Sequence, residues 1–595
     1  MNKLTRNIYS TDGGRWLISF LMVATLFFVV GLFCPRVFFI NDDENIMYTI
    51  AGYYTDGETY DHSFINFCLS IVLRGLYTVL PTVPWYGVFH ITVLFVTVSV
   101  IFKVLLTESN AHSVPVHLAF GINLMLFFLV YLFPTTLMQF TTTSAMAGAA
   151  ACMLLLEIRW ESDSKKKVNM NMVLSALFLL ICYMHRKNTG YVAICFYFGT
   201  WLYQLIKVIL VKRTISVRRG KYWLRNIIFL ACMLILFLVL VIVVSALARS
   251  TPQWDAFYDY DTARFKVTDY PHDSYKDNPE LYDSLGWSPE LYELTGRSWW
   301  FFMDPNITPE AFREIAETGY YAERTADSQS LLGPVVSLYN SSSTAKLAFL
   351  VMATCGIVFV LLFLFSHSKK TSFWEFMYGS CILMGAITLV FYLSFRQRLP
   401  LRAFHTICLP CITIMVLVCL RMLNIPNLSE WRRRFYICVT TFLLFITVVG
   451  GDTNLRVSII DANDRVVKSQ RTLAIEEYAM MHPENFYVYD TSLTFRYMPF
   501  TVYKDKQPTN LMFWGGMGWK SPAYYRQLEL NGLNELYSYA LFLDNVYYIT
   551  WDGYPIQGKP LRIRLLNYML VTYPHVTFEQ VDSLGDDINV YKIGR

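Results

Sequence analysis

"FFINDDENIMYTIAG" (residues 38–52) sets three carboxylates in a row, Asp42, Asp43 and Glu44, directly after a long apolar run. Most charge clusters are solvated loops. An acidic cluster at the very edge of a hydrophobic segment has a second reading, an active-site base held at a membrane surface. Choosing between them requires knowing what the apolar run crosses and on which side the acids emerge.

The rest of the chain answers the first question. It has 595 residues, 54% hydrophobic and 16% charged, with a mean hydropathy of +0.36, well above the apolar share of a soluble protein. Its 44 Phe and 40 Tyr are residues that collect in spans and at membrane interfaces. The net charge of +5 says little until the charges are placed. The twelve cysteines fall almost entirely in apolar segments, without metal-ligand spacing, so no disulfide framework is read. Cys408 and Cys411 form a CxxC inside an apolar run, where packing is the simpler role.

A span needs about 20 apolar residues. Eleven segments qualify: 16–35, 85–106, 115–133, 138–156, 170–184, 189–206, 226–247, 344–365, 373–393, 404–422 and 435–450. The first is too long, and too polar at its exit, for a cleaved signal peptide, so it reads as an anchor. Orientation follows from Lys and Arg in short loops. Arg159 with Lys165, Lys166 and Lys167; Lys207, Lys212, Arg213, Arg218, Arg219, Lys221 and Arg225; Lys369 and Lys370; and Arg432, Arg433 and Arg434 all fall on the side of Lys3, Arg6 and Arg15. Eleven spans then put the N-terminus in the cytoplasm and the C-terminus outside.

The acidic cluster therefore emerges outside, as do two larger polar regions. In 248–343, "SPELYEL" and "TPEAFREIAE" give helix-start signatures, and the acidity of this loop argues against a nucleic-acid partner. The tail combines a helical stretch, 462–481, with strand-like "NFYVYD", "NVYYIT" and "DINVYKI", a small α/β pattern. The expected organisation is an all-α polytopic membrane domain over 1–450, including the loop 248–343, and an extracytoplasmic α/β domain over 451–595.

Within the first outer loop, "DENIMYTIA" (43–51) spaces Ile46, Met47 and Ile50 as a short surface helix would. Acids in its first turn would also simply suit the helix dipole. "DGETYDH" (56–62) adds more acids and His62, and 64–80 reads as a second interfacial helix.

Span, acidic pair, surface helices, many further spans and an outer tail together resemble the GT-C class of membrane glycosyltransferases, which includes protein O-mannosyltransferases and the lipid A aminoarabinose transferase. Asp43, Glu44, Tyr48, Ile50 and Ala51 carry the resemblance in spacing; it is detailed over about the first hundred residues and architectural beyond them. "YDHSFIN" (60–66) stands where the class commonly has a second acidic, proline-containing motif, which leaves the acceptor (glycan, lipid or protein) open. The resemblance implies a polyprenyl-phosphate-linked sugar donor, with Asp43 as base beside Asp42 and Glu44.

Phosphate leaves without a general acid, so one carboxylate base can suffice, but the leaving group needs cations. Two short outer loops supply them: Arg186 and Lys187, with Asn188, in "MHRKNTG", and Arg396, Arg398, Arg402 and His405 in "FRQRLPLRAFH". Snorkelling to lipid headgroups is the bland alternative for any one of them. His62 joins them as a substrate-binding candidate. The acids could hold a divalent cation, although no ligand set is complete.

Weaker signals remain. "FWGGMGWKSPAY" (513–524) holds Trp514 and Trp519, as suited to a buried turn as to a sugar. "TTTSAMAG" (141–148) reads as close helix packing. A polysaccharide polymerase or ligase working on polyprenyl-linked glycans is the nearer rival function. A transporter is the more distant one, because the spans show almost no charge between their ends.

Overall fold

The acidic stretch becomes the helix Asn41–Ala51, seated on the end of a helical bundle. Its inward face is Ile46, Met47, Tyr48 and Ile50, each at most 2% exposed, and burying such side chains contributes about 1.5–3 kcal/mol apiece. Gly52 ends it at φ +73°, with the Tyr53 N–H returning to the Tyr48 carbonyl at 3.0 Å. A side chain at Gly52 would also collide with the backbone of Gly57 and Glu58, so only glycine fits this left-handed stop. The second interfacial helix is Phe67–Val79.

The computed structural model describes residues 9–211, 217–298, 303–319, 328–365, 369–423, 430–494, 496–500, 508–515, 518–555 and 558–595. Among these, nine helices are long and apolar enough to cross a membrane, so the chain is a multi-pass membrane protein. Two of the eleven expected spans lie outside that set. The segment 138–156 forms the shorter helix Phe140–Leu156, buried throughout, which agrees with the packing role read from its small residues. The segment 435–450 opens the helix Glu430–Met481, 52 residues long, which runs without a break through 450/451. Lys212 and Arg213 lie outside the described residues.

Side-chain contacts identify the two ends of the bundle. At one end Arg15 donates to Thr107 (3.0 Å) and Arg159 to Glu108 (3.3 Å), which joins the N-terminal helix to the basic loop 157–169. Buried ion pairs draw this end together. Lys103 pairs with Glu157, Arg421 with Glu108 (3.0 Å) and Lys207 with Glu375 (3.0 Å). These charges gather toward this end of the bundle and neutralise one another, as buried charges must.

At the other end two short parallel strands, β1 (Val37–Phe38) and β2 (Leu137–Met138), tie the first outer loop to the break before Phe140. Beyond them lies a five-stranded sheet: β3 (Phe486–Tyr489), β4 (Leu511–Phe513), β5 (Val546–Trp551), β6 (Thr577–Ser583) and β7 (Ile588–Gly594), in the order β4-β3-β5-β7-β6. β3 runs parallel to β4 and β5, and β7 antiparallel to β5 and β6. Three of these strands are the three strand-like runs of the tail. β4 is three residues long and β6 is mostly exposed, so neither shows a clear alternating pattern.

β3 is buried on both faces. Phe486 and Val488 share a core with Trp287, Phe312 and Ile315 of the outer loop, while Tyr487 and Tyr489 pack on Ile475 and Ala479 of the long helix. The helices Pro289–Ser298 and Pro309–Glu317 begin at the two proline signatures. The outer loop and the tail thus share one core. Trp514 is part of it.

Candidate active site

The carboxylate of Asp43 is fully buried. Its Oδ1 accepts from the Phe140 N–H at 2.8 Å and from the Tyr86 hydroxyl at 3.0 Å, while its Oδ2 has no partner among the described residues. Phe140 opens a helix that has no side-chain cap of its own, so Asp43 caps it from another segment, at the positive end of its dipole. Burial, the largest influence, still raises the Asp43 pKa well above the ordinary carboxylate range. His90 Nε2 lies 3.5 Å from Oδ1 and 3.1 Å from His185 Nε2, with His90 Nδ1 3.0 Å from Thr143 Oγ1. A line of polar groups thus runs from Asp43 inward between helices. His90 and Tyr86 escaped sequence reasoning because a lone His or Tyr in an apolar span reads as core.

Asp42 points elsewhere. It pairs with Arg402 at 2.8 Å, and both line a cavity of about 550 Å³ between the helix Asn41–Ala51 and the tail. Glu44 lines it too, whereas Asp43 does not. Burial also lifts the Glu44 pKa far up, opposed by Arg496. Arg496 is itself buried, paired with Glu476 and stacked on Tyr48 (4.7 Å) and Tyr53 (5.0 Å). Tyr53 and Tyr54 add hydroxyl bonds to Glu476 at 2.9 and 3.1 Å. This clamp fastens the tail to the first outer loop. Its tail pair lies more than 400 residues from the tyrosines it meets, so no local pattern announces it.

The basic candidates divide. Arg186 lies against the stacked rings of Phe64 (5.0 Å) and Phe140 (4.6 Å), with no carboxylate at ion-pair distance among the described residues. Its pKa is pushed down to about 10, first by burial and then by Arg402, with Arg398 adding to the fall and Asp42 and Asp43 opposing it. Arg186, Arg398 and Arg402 therefore share one electrostatic neighbourhood with the acids. Arg398 is held by Asp269 (2.6 Å) and lies over Phe265 (4.4 Å), and Arg396 lies over Tyr270 (5.6 Å); both contacts come from the outer loop. Lys187 and Asn188 are exposed at the start of their helix.

The two histidines are buried in structural settings. His405 packs on Phe133 (5.0 Å). His62 Nδ1 accepts the Phe64 N–H (3.2 Å), while Arg249 bonds the carbonyls of His62 (2.9 Å) and Ile65 (2.8 Å) and the Asp61 carboxylate (2.6 Å). Burial, then Arg249 and Arg186, lower the His62 pKa to about 3. Among the described residues, no group of three His, Cys, Asp or Glu side chains has metal-site geometry.

Chemically, this end of the bundle combines a cavity-facing carboxylate, a buried carboxylate behind it, and arginines whose mutual repulsion is only partly neutralised. Such a group suits an anion.

No family model matches the chain, and no curated protein does. One solved structure with a likeness to it is the crystal structure of ArnT from Cupriavidus metallidurans bound to undecaprenyl phosphate. That likeness has a TM-score of 0.37 and 10% identity, over 97% of this chain and 97% of that one. At that score it carries no argument about fold or chemistry.

Proposed function

We propose that this chain is an integral membrane glycosyltransferase of GT-C type. It would take a sugar from a polyprenyl-phosphate donor and pass it to an acceptor at the extracytoplasmic face, with eleven spans, N-terminus in and C-terminus out. The carrying observation is Arg186, a cation against two stacked rings without a carboxylate partner among the described residues, beside Arg402, Arg398 and the acids. A lipid-borne phosphate at this membrane edge would complete its charge balance.

The sequence reading put the base at Asp43. The cavity favours a division of labour. Asp42 faces the bound acceptor and takes its proton, while Asp43 fixes the helix Asn41–Ala51 against Phe140 and Tyr86. The acceptor oxygen or nitrogen then bonds to the anomeric carbon, the bond from that carbon to the phosphate oxygen breaks, and the arginines receive the phosphate charge. Because Arg402 pairs with Asp42, its move to the donor phosphate would free the carboxylate as the donor arrives. Lys187, Asn188, Arg396, His62 and His405 would shape the rim and support these loops.

The test is binding of undecaprenyl phosphate to the purified chain in nanodiscs. Arg186→Ala and Arg402→Ala should each weaken it at least tenfold. Undiminished binding by both variants would remove the reading.

A further inference from the structure

Resting on that reading, we infer that the acceptor is a saccharide, held by the tail in the cavity next to Asp42. The cavity opens at the carboxyl ends of the parallel strands β3 and β4, where Tyr489, Thr491 and Phe513 line it. Parallel sheets characteristically receive ligands at that edge, because the chain leaves the strands there and its loops are free to form a crevice. At about 550 Å³ it falls within the range of small-molecule sites, about 300–1,000 Å³.

The wall chemistry selects among acceptor classes. Among the described residues, Asp42, Glu44 and Arg402 are its charged members, all at the helix Asn41–Ala51 or facing it. The wall also carries aromatic rings, among them Tyr489, Tyr497, Trp519 and Tyr524, and neutral amides and hydroxyls such as Asn45, Thr49 and Gln527. Trp519 and Tyr524 pack at 4.5 Å between centroids, and the Gln527 amide is fixed by the Leu511 carbonyl at 2.7 Å. A sugar ring has apolar C–H faces and a rim of hydroxyls, so it matches rings flanked by neutral donors and acceptors. A phosphorylated lipid headgroup would need more cations than Arg402 in this wall. An acyl chain would need an aliphatic wall, and Ile40, Leu511, Met512 and Ala523 are a minority of this one. The same carbohydrate could come as a free oligosaccharide or as one carried on a lipid.

The experiment uses the full chain in nanodiscs with a polyprenyl-phosphate-linked sugar. Its acceptors are neutral tetrasaccharides of glucose, galactose, mannose and rhamnose, each free or polyprenyl-diphosphate-linked, alongside lipid A and a Ser/Thr-rich peptide. Direct binding of the same tetrasaccharides is measured without donor. Expected are transfer to at least one saccharide and a KM for it raised at least tenfold by Trp519→Ala and by Asn45→Ala, with the donor KM within twofold of the parent. Asn45 is partly exposed, so its variant remains informative if the tryptophan variant misfolds. A free saccharide working as well as its linked form identifies a soluble acceptor, and the reverse a lipid-borne one; both support the site. Transfer only to lipid A or the peptide, or an acceptor KM unmoved by Asn45→Ala, overturns the inference while leaving a transferase. Saccharide binding lost in Asn45→Ala, with no donor consumed, keeps the site and removes the transferase reading.

Discussion

Replacing Asp42 and Asp43 one at a time separates the base from the carboxylate that positions it. In Asp42→Asn the side chain keeps its shape and loses its charge. Its partner Arg402 is 24% exposed, so water can take over part of that pairing, and the stability cost should stay within about 1 kcal/mol, as for other partly exposed ion pairs. Transfer should fall on the order of a hundredfold or more, the usual loss for a general base, equivalent to about 2.7 kcal/mol of barrier. Asp43→Asn behaves differently. An amide can still accept from Phe140 and Tyr86 through its oxygen, but its NH₂ would bring a donor to the buried Oδ2 position, which has no hydrogen-bond partner among the described residues. A buried unsatisfied donor costs about 1–3 kcal/mol, and the charged cap on the helix Phe140–Leu156 is lost as well. Sugar transfer in proteoliposomes and thermal unfolding of the purified protein, measured on both variants, read the two effects. Asp42→Asn should be stable and inactive; Asp43→Asn should be destabilised, with activity falling in step with the folded fraction. An Asp42→Asn enzyme within threefold of the parent, beside a fully folded and inactive Asp43→Asn enzyme, would refute the division and return the base to Asp43.

Four further outcomes are expected. His62 remains neutral when folded, with a pKa of about 3 against 6.5 for a free histidine; its stabilising contribution is complete above 6.5 and drains as pH falls toward 3. At pH 5 the loss is about 2 kcal/mol. His62→Asn, which can still accept the Phe64 N–H, should flatten that dependence in melts at pH 5 and 7.5, and an unchanged difference between the two pH values would contradict it. Arg496→Met should cost about 3–5 kcal/mol by stranding Glu476, and Arg496→Met with Glu476→Leu should restore part of it; proteolysis of the tail reports both, and equal susceptibility of parent and single variant would count against the clamp. Arg186→Lys should bind undecaprenyl phosphate more weakly than the parent, because an ammonium lacks the planar fork that packs on the two rings and donates bidentately; equal affinity would show that charge alone suffices. Reporter fusions at Lys166 and Gly220 should read cytoplasm and one at Arg595 the outside, and a cytoplasmic Arg595 would put the proposed site on the wrong face.

By itself the sequence determined what repeats along the chain. Apolar runs long enough to span, basic loops at alternate ends, the helix after Asp43, the two proline-started helices and the strands β3, β5 and β7 were all legible, because each depends on neighbours within a few residues. It also pointed to Asp42, Arg186, Arg398 and Arg402, since charge beside an apolar run is locally conspicuous. Tertiary structure alone decided which way each side chain faces. Asp42 and Asp43 are adjacent, yet one lines a cavity and the other caps a helix that begins 97 residues on. Neighbouring positions on a helix diverge by about 100°, and only the surroundings decide which is buried. The contacts of Glu476 with Tyr53 and Tyr54 and of Asp43 with Tyr86 and His90, and the single core shared by the outer loop and the tail, join segments far apart in sequence. No periodicity encodes such contacts, because folding rather than the local pattern brings their members together.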